Sequence, residues 1–125
     1  MAKADIQEQY GLFINGEFVP ASDGATFDAH NPANGEHLAY FAEATKEDVD
    51  KAVKAARVAL PAWSKTSPIE RQNILLKIAD IIDANADHLA LVETLDNGKP
   101  IRETKAADIP LGSDHFRYFA GCLRA

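Results

Sequence analysis

The sequence predicts an α+β chain, with β-hairpins at the N-terminal end followed by about four helices. Three observations carry this. Turn signals and short β-like runs crowd the first 44 residues, apolar residues at helical spacing dominate from Thr45 on, and two N-terminal cap patterns mark helix starts. The composition is that of a globular chain: 125 residues, 46% hydrophobic and 26% charged. The length admits one domain, which would bury roughly two-thirds of its unfolded surface.

Leu12-Phe13-Ile14, Asn15-Gly16 and Glu17-Phe18-Val19 form a hairpin pattern, because Asn-Gly readily adopts the positive φ angles of a two-residue type I′ turn. Pro20 closes the second strand and Ser22-Asp23-Gly24 reads as a turn. Thr26–Ala29 reads as a third strand, ending at the Asn31-Pro32-Ala33-Asn34-Gly35 loop, and His37–Ala42 as a fourth. Residues 1–10 are expected to be flexible, 11–44 to form the hairpins and 45–125 to be helical.

Thr45 and Asp48 fit a capping box, and Val49, Ala52, Val53, Ala56 and Leu60 follow at helical spacing up to Pro61, which reads as the stop. Ser67, Pro68 and Glu70 open the next helix, whose stripe is Ile74, Leu75, Ile78, Ile81 and Ile82. A third helix carries Leu89, Val92 and Leu95 and ends at Asn97-Gly98 before Pro100. Phe116, Phe119, Ala120 and Leu123 lie on a fourth. Pro110 and Gly112 predict that the stretch from Ile101 is kinked or broken. The apolar stripe is still running at Ala125, so the chain reads as cut rather than finished.

Charge and cysteine content exclude several function classes. With 13 Lys+Arg against 19 Asp+Glu the net charge is −6, which disfavours nucleic acid and anionic membrane as partners. No apolar run is long enough to span a bilayer, and the first residues lack a signal-peptide core. The single cysteine, Cys122, excludes an intramolecular disulfide and fits a reducing, cytoplasmic location.

Few residues suggest chemistry on their own. The chain lacks a phosphate-binding loop, a G-x-G-x-x-G, a nucleophile elbow and any Cys/His pair at metal-ligand spacing. Cys122 and His115 stand two helical turns apart, about 10 Å by rise and too far for direct activation. The histidines His30, His37, His88 and His115 share no spacing. Asp48, Asp50, Glu70, Asp80, Asp83 and Asp87 read as solvated helix faces, and Trp63 as a core anchor. Asp108, before Ile109-Pro110, stands where a helix break would free carbonyls, the oxygen-rich setting a hard cation prefers; a cap or solvent role competes with that reading.

Taken in order, Phe13-Ile14-Asn15-Gly16-Glu17-Phe18, Asn31–Gly35, Glu47–Val53, Pro61-Ala62-Trp63, Glu70-Arg71, Glu93–Pro100 and Phe116–Gly121 resemble the N-terminal region of NAD(P)-dependent aldehyde dehydrogenases. The resemblance runs from Gly11 onward and covers about the first quarter of a full-length member. It implies an α/β parent fold, with residues 1–125 opening a Rossmann-like cofactor-binding domain. It also implies oxidation of an aldehyde to a carboxylic acid with NAD or NADP by a cytoplasmic homo-oligomer, dimer or tetramer, without nucleic-acid or membrane partners. The family's catalytic cysteine and glutamate, its oxyanion hole and its cofactor loops lie downstream. No catalytic or cofactor-binding residue is therefore assigned here, and the chain alone is expected to be inactive and to bind no cofactor. The resemblance further implies a structural Na⁺ or K⁺ site using Asp108 and the backbone carbonyls of Ala29 and His30. A rival expectation is a non-catalytic product that self-associates, or binds a partner, through its apolar helical faces.

Overall fold

The computed structural model describes residues 5–123 and divides the chain into two compact units, Ile6–Lys65 and Thr66 onward. The first unit holds five strands and one helix. Strands β2 (Leu12–Ile14) and β3 (Glu17–Val19) pair antiparallel with Leu12 opposite Val19 and Ile14 opposite Glu17. Asn15 at φ 55° and Gly16 at φ 86° make the connecting turn, as the Asn-Gly pair predicts.

Strand β4 (Thr26–His30) pairs antiparallel with β5 (His37–Ala42), and β1 (Gln9–Tyr10) adds to β5 in parallel. The first strand expected from the sequence is Leu12–Ile14, so β1 falls at the end of the segment expected to be flexible. Two residues carry no detectable alternation, and β1 is a strand only because β5 offers it an edge. Residues 1–4 of the segment expected to be flexible lie outside the described residues.

Helix α1 (Lys46–Trp63) belongs with these strands, so the change of pattern at Thr45 falls inside a compact unit. Its capping box is formed on both sides: the Thr45 hydroxyl accepts the Asp48 N–H at 3.3 Å, and Asp48 Oδ2 accepts the Thr45 N–H at 3.0 Å. Pro61 does not stop the helix, which runs to Trp63. Its ring is exposed and the helix ends two residues later, so the lost bond costs little. Trp63 is 45% exposed rather than a core anchor, and Val49, Val53 and Leu60 of the stripe are exposed as well.

The second unit is helical. Helix α2 (Pro68–Ala84) starts at Ser67, whose hydroxyl accepts the Glu70 N–H while Glu70 accepts the Ser67 N–H at 2.7 Å. Helix α3 (Ala86–Asn97) ends on Gly98 at φ 81°, the left-handed C-terminal position that glycine takes without a Cβ penalty. The last helical run is continuous: α4 (Ile101–Glu103), a π-helical turn (Thr104–Asp108) and α5 (Ile109–Cys122). The break expected at Pro110 is therefore a widened turn. The Ile109 N–H reaches back to the Thr104 carbonyl, and a π turn just ahead of a proline accommodates a residue that cannot continue the α ladder.

Small side chains let these helices approach. Ala79, Ala90 and Ala120 are fully buried, and α2 lies along α5. Thr104 is fully buried too, with its hydroxyl donating within reach of the Ala90 and Ile101 carbonyls, each at 3.1 Å. Arg117 on α5 binds Asp80 at 2.8 Å and Asp83 at 2.7 Å on α2, and Lys105 binds Asp87 at 2.7 Å. These acids are paired, not merely solvated.

Candidate functional site

The segment Glu93–Pro100, the densest of the resembling motifs, folds into the end of α3 and the turn that follows. Asn97 donates its side-chain amide to Glu93 and accepts the Lys99 N–H at 2.8 Å. With Gly98 reversing the chain, this presents Lys99 toward the π turn, where its ammonium lies 2.6 Å from Asp108. The carboxylate beside it holds Lys99 above the ordinary lysine range. One Asp108 oxygen receives the hydrogen bond. The other, Oδ2, is buried, lies 2.6 Å from the same nitrogen, and lacks hydrogen-bond geometry to any group.

That arrangement decides how Asp108 is used. The buried Oδ2 is the kind of orphaned oxygen a cation would occupy, but Lys99 already supplies the positive charge at the carboxylate. The donor set does not fit a resident Na⁺ or K⁺ unless Lys99 leaves. Ala29 and His30, the expected carbonyl ligands, lie on β4 of the other unit, opposite Ala39 and His37.

The Asn31–Gly35 and Glu47–Val53 motifs close a turn and a helix start. Asn31 accepts the Gly35 N–H at its carbonyl (2.7 Å) and the Ala33 N–H at its side chain (2.9 Å), which closes the loop between β4 and β5. Asp48 is 3% exposed, against the expectation of a solvated face, and it caps both α1 and the Ser22 turn. Its carboxyl is held far below the usual carboxylate range, chiefly by the Ser22 hydroxyl and then by the Ser22 and Thr45 N–H groups. Cys122 is an exposed free thiol.

A family model described as "Aldehyde dehydrogenase family" matches residues 18–125. The chain belongs to the aldehyde dehydrogenase family. It is 55% identical over 124 residues to an acetaldehyde dehydrogenase of Pseudomonas aeruginosa, covering 99% of this chain and 24% of that one. A long-chain-aldehyde dehydrogenase of an Acinetobacter species is 49% identical over 124 residues, covering 99% and 25%.

Among solved structures, the NAD⁺ complex of an aldehyde dehydrogenase from Bacillus cereus superposes with a TM-score of 0.88 at 44% identity, over 91% of this chain and 24% of that one. An NAD-dependent aldehyde dehydrogenase from Sinorhizobium meliloti gives 0.89 at 37% identity, over 97% and 24%. The chain thus spans about a quarter of the length of the relatives it matches. These findings carry the resemblance and the fold class predicted from sequence, and they lend no support to the self-association reading. No helix among the described residues is long and apolar enough to cross a membrane.

Two pairings of candidate site residues leave no signal in the sequence. Lys99 as the partner of Asp108 is one; the pair is nine residues apart across a helix end and a π turn, with no periodic signature. The other is the meeting of His30 and His37, whose numbering gives no ligand spacing but whose rings stand 6.0 Å apart across the β4–β5 hairpin.

Proposed function

We propose that this chain is the opening segment of an enzyme that oxidises an aldehyde to a carboxylic acid with NAD⁺ or NADP⁺. One observation carries this: the family match is continuous from residue 18 to residue 125 and is matched in three dimensions by dehydrogenases of known structure.

The segment's own part is architectural. Its caps, the Gly98 turn and the Lys99–Asp108 pair fix the course of the helices. Leu75, His115, Phe116 and Phe119 line a largely apolar hollow on α2 and α5, a face left for chain beyond this segment to cover in this reading. Nucleophile, base and cofactor loops are assigned to chain beyond this segment, and the 125 residues alone neither turn over substrate nor bind the dinucleotide. The whole enzyme is a cytoplasmic homo-oligomer in this reading.

The test is to isolate the native protein from its source cells by an antibody to this segment. Its intact mass and NAD(P)H formation with a panel of aldehydes are then measured. A mass roughly four times that of the 125-residue chain, with aldehyde-dependent reduction of the dinucleotide, is expected. A native product of 125 residues, or a long product that reduces neither dinucleotide with any aldehyde, would sink the proposal.

A further inference from the structure

The β4–β5 hairpin carries a cluster that the dehydrogenase reading leaves unused. Asp28 and His30 are two residues apart on β4 and therefore share a face. Continuing the Asp28–Tyr40 and Ala29–Ala39 pairs regularly would set His30 opposite Leu38. Instead the register shifts between Ala29 and His30, and His30 pairs with His37. Because side chains alternate with a period of two, a shift of one residue carries His37 onto the face of Asp28 and His30.

The result is a compact set of donors. His37 Nδ1 lies 2.7 Å from Asp28 Oδ1, and one ligand atom from each of the three residues lies within 4.8 Å of the other two. The side chains of His37 and Asp28 are 39% and 44% exposed, so an ion has open access. Tyr40 packs its ring against His37 with centroids 4.6 Å apart and limits that imidazole's freedom.

We propose that Asp28, His30 and His37 form a surface site for a divalent first-row transition ion, with Zn²⁺ the species the donors suit. Two imidazoles and a carboxylate favour such an ion over Ca²⁺ or Mg²⁺, which prefer all-oxygen cages. Ligands at about 2.0–2.1 Å in a tetrahedron stand about 3.4 Å from one another. On binding, the His37–Asp28 pair, now in contact at 2.7 Å, therefore opens slightly and gives up the proton it shares, while donors up to 4.8 Å apart draw in. Three protein ligands leave the fourth position to water. The site uses the His30 imidazole, whereas the cation expected from the family resemblance would use its carbonyl.

Zn²⁺ titration of the native protein, at the length its source cells make, against a chromophoric chelator tests this. Stoichiometry and affinity are compared with those of a His30→Gln/His37→Gln double variant, so sites elsewhere, Cys122 included, cancel. The wild type is expected to bind one equivalent more than the double variant. His37→Gln and His30→Gln singly weaken that equivalent by at least about tenfold, Asp28→Asn weakens it less, and His88→Gln leaves it unchanged. Circular dichroism checks that each variant is folded. Equal stoichiometry and affinity in the wild type and the folded variants would overturn the proposal.

Discussion

Asp48, in the first turn of α1, is tied to Ser22 on a turn 26 residues earlier: its Oδ2 accepts the Ser22 N–H at 3.0 Å and its Oδ1 accepts the Ser22 hydroxyl. The same carboxylate accepts the Thr45 N–H and hydroxyl, so one buried acid joins a helix start to a loop. Its charged form is favoured in the folded chain, which sets the direction of its pH dependence. The stability it contributes is complete above the unfolded carboxylate range, near pH 4, and is lost as pH falls below it toward the depressed folded value. Asp48→Asn is therefore expected to melt well below wild type at neutral pH, with the gap narrowing as pH drops below about 4. Thermal denaturation across that range checks this, and a gap that stays constant or widens would remove the assignment.

Lys99 and Asp108 make a second linkage, and a double-mutant cycle measures it. Lys99→Met leaves a carboxylate with a buried oxygen and no counter-charge, so it is expected to destabilise more than the Lys99→Met/Asp108→Asn pair. Replacing KCl or NaCl by choline chloride at equal ionic strength is expected to leave the wild-type midpoint unchanged. A midpoint that rises specifically with Na⁺ or K⁺ would return Asp108 to a cation role.

At Gly98 the backbone has φ 81°, a region where a Cβ meets the neighbouring peptide. Gly98→Ala should lower stability by about 1–2 kcal/mol, and Gly98→Asn by less, since asparagine tolerates this conformation. Denaturant unfolding of the two variants ranks them, and equal losses would mean that φ is not the cause.

Ser67 caps α2 in a box completed by Glu70. Ser67→Ala is expected to cost about 1 kcal/mol, while Ser67→Asp retains most of the stability because its carboxylate can accept the same N–H. The matching measurement is urea unfolding monitored by helical circular dichroism.

The residues that local chemistry governs were legible in advance. Thr45, Ser67 and Gly98 act on hydrogen bonds within three or four residues of themselves, and Asn15-Gly16 makes a turn whose dihedral angles are its own. The family, too, was legible, because it is carried by the order and spacing of short motifs. Pro61 and Pro110 were only half legible. A proline marks a disturbed ladder, but whether the helix ends, tolerates it near its terminus or widens into a π turn depends on what surrounds it.

The sequence by itself determined where α1 and α2 start, where α3 ends, how the first hairpin turns and which family the chain joins. Only the tertiary structure decided that Asp48 is buried, that Lys99 meets Asp108, and that His37 shares a face with Asp28 and His30. The physical reason is range. Caps and turns are set by a few neighbouring dihedral angles, whereas these contacts depend on a loop packed against a helix start, a π turn and a one-residue shift in strand register, none of which leaves a local period to read.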